Sequence, residues 1–497
     1  MPFLKATQIQ IGQSQSNQYV RGCYYTNWAQ YRPNKGKYTP ENYMPGLCTH
    51  IFYAFVIMDN SFNLKPFEWN DEDEQWSIGN YHKVVNLKQQ QPDLKVVLSF
   101  GGWTYSENNA GLLTSMASSA ASRATFIDSV VKFVRRINFD GFDIDWEYPA
   151  AHDKANFAAL VKEMRAAFEK DAQASGKPRL LLTAAVAAGI SKINAGYDGQ
   201  QLGKDFDYVN IMSYDFHGGW EQQTGFNSPL HDRNGDQLAI SVAAEHWHKI
   251  GIPKSKLLVG LGTYGRGWTL ASASNSGVGA PTAGSAPTLP YSREAGIATY
   301  YEICDLIEKE GYQERYDDQQ QSPYVVGGPG NNVWIGYDNV QSFNAKLDWI
   351  KANGYGGAFI WALDMDDFHG QCASSRGQKY PLMSAINAKL GGGAPPPGPQ
   401  PTITPRPTQP QQPETQKPSQ TPQTPAPTAA PTRPPQQPGG PFRCPSPGNF
   451  GNPSSCKTFY MCDAQKNAHL FTCPAGLEFN DAAGYCDWPD NAKCKRS

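Results

Sequence analysis

Residues 139–149 read FDGFDIDWEYP. Asp143, Asp145 and Glu147 alternate there with Ile144 and Trp146. On a strand that spacing places three carboxyl groups on one face, about 6.6 Å apart per step. Neighbouring carboxylates do not all ionise freely, so the row titrates as a unit and one member keeps its proton near neutral pH. A proton-bearing carboxyl at the open end of a strand can serve as a general acid, and Glu147 is the outermost of the three. Two other uses of such acids stay open at this point. D-x-D pairs also bind divalent cations, and buried acids are also satisfied by Arg and backbone N–H groups. No His–carboxylate cluster of metal-ligand spacing accompanies the row, and HWH at 246–248 lacks the HExxH arrangement, so no metal is expected. A purely structural role is disfavoured by the desolvation of three acids among apolar residues.

The row needs a scaffold that exposes one end of a strand. Eight apolar or alternating runs precede residue 390: YVRGCYYTNW, HIFYAFVIM, KVVLSFGGW, FDGFDIDWEYP, RLLLTAAVAA, DYVNIMSYDF, KLLVGLGTYGRGW and GGAFIWALDMDD. Between them lie segments with apolar residues at helical spacing, such as 124–137 and 156–171. The alternation predicts an α/β fold, a (β/α)8 TIM barrel over 20–390, with an α+β insertion within about 269–355 between the seventh and eighth runs. Functional residues of such a barrel sit at the C-terminal ends of strands. Trp28, Gly102 and Trp103, the acid row, Tyr214 and Asp215, Arg266 and Trp361 all fall there.

Composition narrows the partners. The net charge of −2 and the lack of a basic stripe argue against nucleic acid and anionic membrane, and no apolar run is long enough to span a bilayer. Residues 391–442 are rich in Pro, Thr and Gln, a composition that predicts a disordered, semi-rigid linker. Residues 443–497 form a separate small domain. Six of the ten cysteines lie in it, from Cys444 to Cys494, spaced C-x11-C-x5-C-x10-C-x12-C-x7-C. So small a segment needs disulfides as staples, which implies an oxidising compartment and hence secretion. The N-terminus lacks the apolar core of a signal peptide, so this chain is expected to be without one.

The run DGFDIDWEYP closely resembles the DGxDxDWEYP signature of family 18 glycoside hydrolases, the chitinases. SFGGW, MSYDFHG, YGR and GGAFIWALDMDD match further motifs of that family in order. The resemblance implies a retaining mechanism without a carboxylate nucleophile, an exception to the two-carboxylate scheme. Glu147 would be the general acid/base. Asp145 would orient the substrate's N-acetyl group, Asp143 would share a proton with Asp145, and Tyr214 would donate to the acetyl carbonyl. Asp215 would hydrogen-bond the same sugar, and Met212 and Trp361 would wall the site. Trp28, Trp103 and Trp220 would be stacking platforms, and Tyr24, Phe55 and Gly102 complete the substrate-binding set. Arg266 would either reach the sugar or pair with an acid. His217 is read as supporting. The implied partners are chitin and chito-oligosaccharides, with no cofactor and a monomeric chain. A weakly catalytic chitin-binding lectin and an endo-β-N-acetylglucosaminidase stay open as alternatives.

The tail, SCKTFYMC…FTCPAGLEFNDAAGYCDWP, resembles type-2 (peritrophin-A-like) chitin-binding modules. Six cysteines allow 15 pairings by themselves. The resemblance implies Cys444–Cys462, Cys456–Cys494 and Cys473–Cys486, with Tyr460 and Trp488 as sugar-stacking candidates. In the barrel, family precedent implies Cys23–Cys48 and Cys304–Cys372.

Overall fold

Eight strands carry the larger part of the chain in a computed structural model: β1 (Val20–Thr26), β2 (His50–Met58), β3 (Lys95–Gly101), β4 (Gly141–Asp145), β5 (Leu181–Val186), β6 (Tyr208–Ile211), β7 (Leu257–Gly262) and β8 (Gly357–Trp361). The structure describes residues 19–75, 77–391, 442–445, 448–462, 467–473, 477–481, 485–487 and 489–495. The chain divides into two units, Met1–Pro396 and Pro397–Ser497. The expected linker lies almost wholly outside the described residues.

Each barrel strand pairs in parallel with the next, and β1 pairs with both β2 and β8, which closes an eight-stranded TIM barrel. Both faces of such strands are covered, which is why they read as nearly continuous apolar runs. Helices pack outside. The helix Ala120–Ile137 begins where the Ser119 side chain accepts the Ser122 N–H and ends at left-handed Asn138. It buries Phe126, Ile127, Val130, Phe133, Val134 and Ile137 along one stripe. The next helix, Lys154–Ser175, ends at left-handed Gly176, where glycine escapes the Cβ penalty.

The seventh run departs from expectation. Residues 256–268 do not form one strand. β7 stops at Gly262, and Tyr264–Leu270 begins a separate antiparallel sheet in the order Thr282–Ser285, Tyr264–Leu270, Val333–Gly336, Ser322–Gly327, Gln313–Asp317, with Ile297–Thr299 also on Tyr264–Leu270. The sheet of the inserted lobe therefore starts ahead of 269, and the helix Val340–Asn353 after it leads back to β8. The break is tertiary in origin. Buried Thr263 donates its N–H to the Trp361 carbonyl at 3.0 Å and its hydroxyl to the Ala362 carbonyl at 2.7 Å. The first bond extends the β7–β8 ladder one step past Gly262, and from Tyr264 onward the chain pairs instead with Ile297–Thr299 and Val333–Gly336. The YGR residues thus belong to the lobe, beside the barrel mouth.

Disulfides join Cys23 to Cys48, tying β1 to the approach to β2, and Cys304 to Cys372. In the second unit Gly448–Gly451, Thr458–Cys462 and Ala468–Thr472 form an antiparallel sheet, followed by a hairpin of Glu478–Asn480 and Tyr485–Asp487. Phe459 and Phe479 fill its small core. Cys444–Cys462 and Cys456–Cys494 staple it. Cys473 is also disulfide-bonded, while the side chain of Cys486, its implied partner, lies outside the described residues.

Candidate active site

The acid row begins on β4, which enters the barrel between β3 and β5 with Ser99, Asp143 and Thr183 in one register row. Asp143 is fully buried. One oxygen accepts from Tyr24 Oη at 2.8 Å and Ser99 Oγ at 2.7 Å; the other accepts from Thr183 Oγ1 at 2.6 Å and Asn210 Nδ2 at 3.4 Å. Four strands therefore aim donors at one carboxyl. Burial raises its pKa, and the hydrogen bonds from Thr183, Ser99 and Tyr24 oppose that rise.

Asp145 is equally enclosed, yet its Oδ1 has no hydrogen-bond partner among the described residues. Burial pushes its pKa well above the ordinary carboxylate range, and the charges of Glu147 and Asp143 push it further. Glu147 lies just past the strand end rather than on it, its N–H donated to Ser106 Oγ at 3.0 Å. Burial raises its pKa to about 7; the hydrogen bond from Tyr148 opposes this, and Asp215 and Glu107 add to it. Two buried carboxyls with raised pKa values thus stand side by side, and one oxygen of Asp145 has no partner among the described residues.

Close approach of β3 makes this possible. Gly101 and Gly102 have φ of 112° and 82°. A Cβ on Gly101 would sit 2.2 Å from the Asp145 carbonyl oxygen, and one on Gly102 would sit 2.4 Å from the Phe55 ring. The Gly102 N–H donates to that same Asp145 carbonyl at 2.8 Å. Only glycines fit the GG of SFGGW here.

Apolar walls surround the acids. Trp361 ends β8, with the rings of Tyr24, Phe55 and Trp28 centred 5.3, 6.0 and 6.1 Å away. Met212 and Tyr214 pack in the same cluster, which also contains Met365. Trp103 and Trp220 are 57% and 60% exposed, too open for core residues. Asp215 accepts from Tyr264 Oη at 2.5 Å and from Arg266 Nε at 2.7 Å. Arg266 therefore pairs with the acid, and its guanidinium lies 5.1 Å over the Trp220 ring. His217 Nδ1 meets Glu221 at 2.9 Å, outside the acid row.

The structure adds Ser99, Thr183 and Asn210 around Asp143, Tyr148 beside Glu147 and Tyr264 beside Asp215. Ser99 and Thr183 were detectable as hydroxyls interrupting apolar strands. Tyr148 and Tyr264 lie within the DGFDIDWEYP and YGR motifs, but their contacts with Glu147 and Asp215 come from the fold.

In the second unit Tyr460 stacks on Phe442 at 4.2 Å with the rings 5° apart, so one face of its ring is already covered. Trp488 lies outside the described residues. Among the described residues, the one group of three side chains close enough to share a metal ion is Cys456, Glu478 and Cys494, whose two cysteines are bonded to each other.

Comparison with known proteins places this geometry. The profile described as glycosyl hydrolases family 18 matches residues 20–366, and that described as chitin binding Peritrophin-A domain matches 444–494. A probable endochitinase of Caenorhabditis elegans is 47% identical over 399 residues, covering 78% of this chain; the chain spans 63% of that relative's length. An endochitinase of Brugia malayi is 43% identical over 492 residues, 95% of each chain. The crystal structure of an immunomodulatory active chitinase from Trichuris suis superposes with a TM-score of 0.72 at 47% identity, covering 75% of this chain and all of that one.

Proposed function

The chain belongs to glycosyl hydrolases family 18 and is a chitinase, and from that premise we propose that it is secreted and hydrolyses β-1,4-linked N-acetylglucosamine polymers by a retaining, substrate-assisted route. One observation carries the reading: Glu147, with a pKa of about 7, adjoins Asp145, a buried acid with an unpartnered oxygen. Glu147 gives its proton to the glycosidic oxygen as the C1–O bond breaks. The acetyl carbonyl oxygen of the same sugar bonds to C1 from the opposite face, forming an oxazolinium ion. Asp145 accepts the acetamido N–H, which aims the carbonyl, and the charge of the Asp143–Asp145 pair, which shares one proton, offsets the developing positive charge. Tyr214 donates to the acetyl oxygen, and Asp215 holds the sugar from the other side. Water then attacks C1, gives its proton to Glu147 and displaces the acetyl oxygen, so configuration at C1 is retained. Trp361 underlies the distorted ring, and Trp28, Trp103 and Trp220 cover neighbouring sugars through their C–H faces. The pairing of Arg266 with Asp215 makes it a brace for that acid.

Because Glu147 must be protonated to act, kcat/KM is expected to fall as pH rises through about 7. A pH–rate profile on a soluble chito-oligosaccharide measures this. A flat profile through alkaline pH would remove Glu147 as the acid.

The disulfide-stapled second unit supports extracellular placement. It would hold the enzyme on insoluble polymer, where tethering raises local concentration without altering the site. A chain truncated after residue 391 is expected to cleave soluble oligomers at the native rate. On chitin particles it should bind and hydrolyse about 10- to 100-fold less well, as read by a pull-down and by reducing-sugar release. Equal activity on particles would deny the unit that role.

A further inference from the structure

Residues 227 and 228 bond to the segment that carries Tyr214 and Asp215, and the mechanism above gives them no part. Asn227 is 1% exposed. Its Oδ1 accepts the Asp215 N–H at 2.9 Å, and its Nδ2 donates to the Tyr264 carbonyl at 3.0 Å. Its own carbonyl accepts the Phe216 N–H at 3.1 Å, and next to it Ser228 Oγ donates to the Ser213 carbonyl at 2.6 Å. Each bond reaches the segment that carries Tyr214 and Asp215, apart from the one to Tyr264 on the lobe.

Asp215 has φ of 56°, in the left-handed region that residues with a Cβ avoid. Tyr264, whose carbonyl Asn227 holds, is also the residue whose hydroxyl grips the Asp215 carboxyl. One amide thus links the backbone of Asp215 to the backbone of its side chain's partner. The segment is itself anchored: the buried Lys346 ammonium donates to the Ser228 carbonyl and pairs with buried Asp338. A Cβ on Gly262 would come within 2.9 Å of Asn227 Nδ2, so the end of β7 leaves room for this amide.

We propose that Asn227 is a positioning residue for hydrolysis, its amide fixing the Asp215 backbone to the lobe strand so that the Asp215 carboxyl and Tyr214 hydroxyl meet the N-acetyl sugar. The inference rests on the reading that those two groups contact the sugar. The requirement is specific to a primary amide of this length, which offers one acceptor and one donor to two backbone groups. Leucine offers neither, and an ionised aspartate offers no donor.

The groups facing Glu147 are Asp145, Asp215, Glu107, Tyr148, Tyr197 and Tyr214; those facing Asp215 are Tyr214, Tyr264, Arg266 and Glu147. The Asp215 charge strengthens proton binding at Glu147. A displaced Asp215 carboxyl would therefore move the alkaline limb to lower pH, a readout that mere loss of stability does not shift.

The test uses the full chain and the N-acetylglucosamine hexamer, with Asn227→Leu, Asn227→Asp and Asp215→Asn compared by circular dichroism, kcat, KM and pH profile. Folded Asn227→Leu is expected to lose about 10- to 100-fold in kcat with its alkaline limb lowered, and KM should change by less than about threefold. Asn227→Asp should approach native activity in acid, where a neutral carboxyl can donate to Tyr264, and lose it towards neutral pH. That comparison decides the matter within one protein if Asn227→Leu does not fold. A native kcat and a native alkaline limb in folded Asn227→Leu, or an Asn227→Asp profile that parallels the native one, would overturn the proposal. If Asp215→Asn is impaired while both Asn227 variants are native, the clamp alone is wrong. If Asp215→Asn is itself native, the sugar-contact reading fails with it.

Discussion

Glu147→Gln is expected to leave a folded protein that still binds chito-oligosaccharides and cleaves them about 100- to 10,000-fold more slowly, the range for loss of a positioned general acid. The substitution keeps the side chain's shape and removes its proton-donating carboxyl. Folding should not suffer, because Glu147 is raised to about 7 by burial, and a neutral amide removes that burden. Binding should persist, because the aromatic walls around Trp361 and the exposed faces of Trp103 and Trp220 are untouched. Initial rates on the N-acetylglucosamine hexamer, with affinity measured by calorimetry, separate the two effects. A variant within about tenfold of native kcat would mean that another group supplies the proton.

The second large effect lies in the substrate. A chito-oligosaccharide whose sugar at the cleaved bond lacks its acetyl group brings no nucleophile to the site. Intramolecular attack by a well-placed group is worth an effective molarity of about 10⁵ M or more, so cleavage at such sugars should fall below detection. Neighbouring aromatic contacts do not involve the acetyl group, so deacetylated oligomers should still compete for binding. Digestion of partly deacetylated chitosan, followed by sequencing of the new reducing ends, reads this directly. Every new reducing end should carry N-acetylglucosamine. Glucosamine at those ends in substantial yield would require a protein nucleophile.

The barrel was legible because its strands are buried on both faces and its helices on one, and the two patterns differ in period. Asp143 and Asp145 were legible for the same reason: a period of two carried polar atoms into an apolar strand. The end of β7 was not. GLGTYGRG continues the apolar pattern with no turn residue distinct from its own glycines, and the change of sheet after Thr263 is set by pairing with Ile297–Thr299 and Val333–Gly336, far along the chain. Asn227 escaped notice in the same way. An Asn before Ser-Pro reads as an ordinary loop residue until Asp215 and Tyr264 are brought to either side of it. The site's acids announce themselves by local pattern, whereas the residues that hold them in place are defined by contacts across the fold.

The carboxyl row that begins on β4 also ties the free energy of folding to the solution around it. Glu147 binds its proton up to about 7 against an ordinary value of 4.5, and Asp143 and Asp145 are displaced in the same direction. Two acids elsewhere in the barrel, Glu68 and Asp366, are likewise raised to about 7. Between those limits the native chain holds protons that an unfolded chain would release. The stability these groups contribute is therefore fully present below the ordinary values, 3.8 for the aspartates and 4.5 for the glutamates, and for Glu147, Glu68 and Asp366 it is lost as pH rises through about 7. For this fold the proton is a ligand of the native state, and one of the carboxyls that binds it is the proposed acid, Glu147.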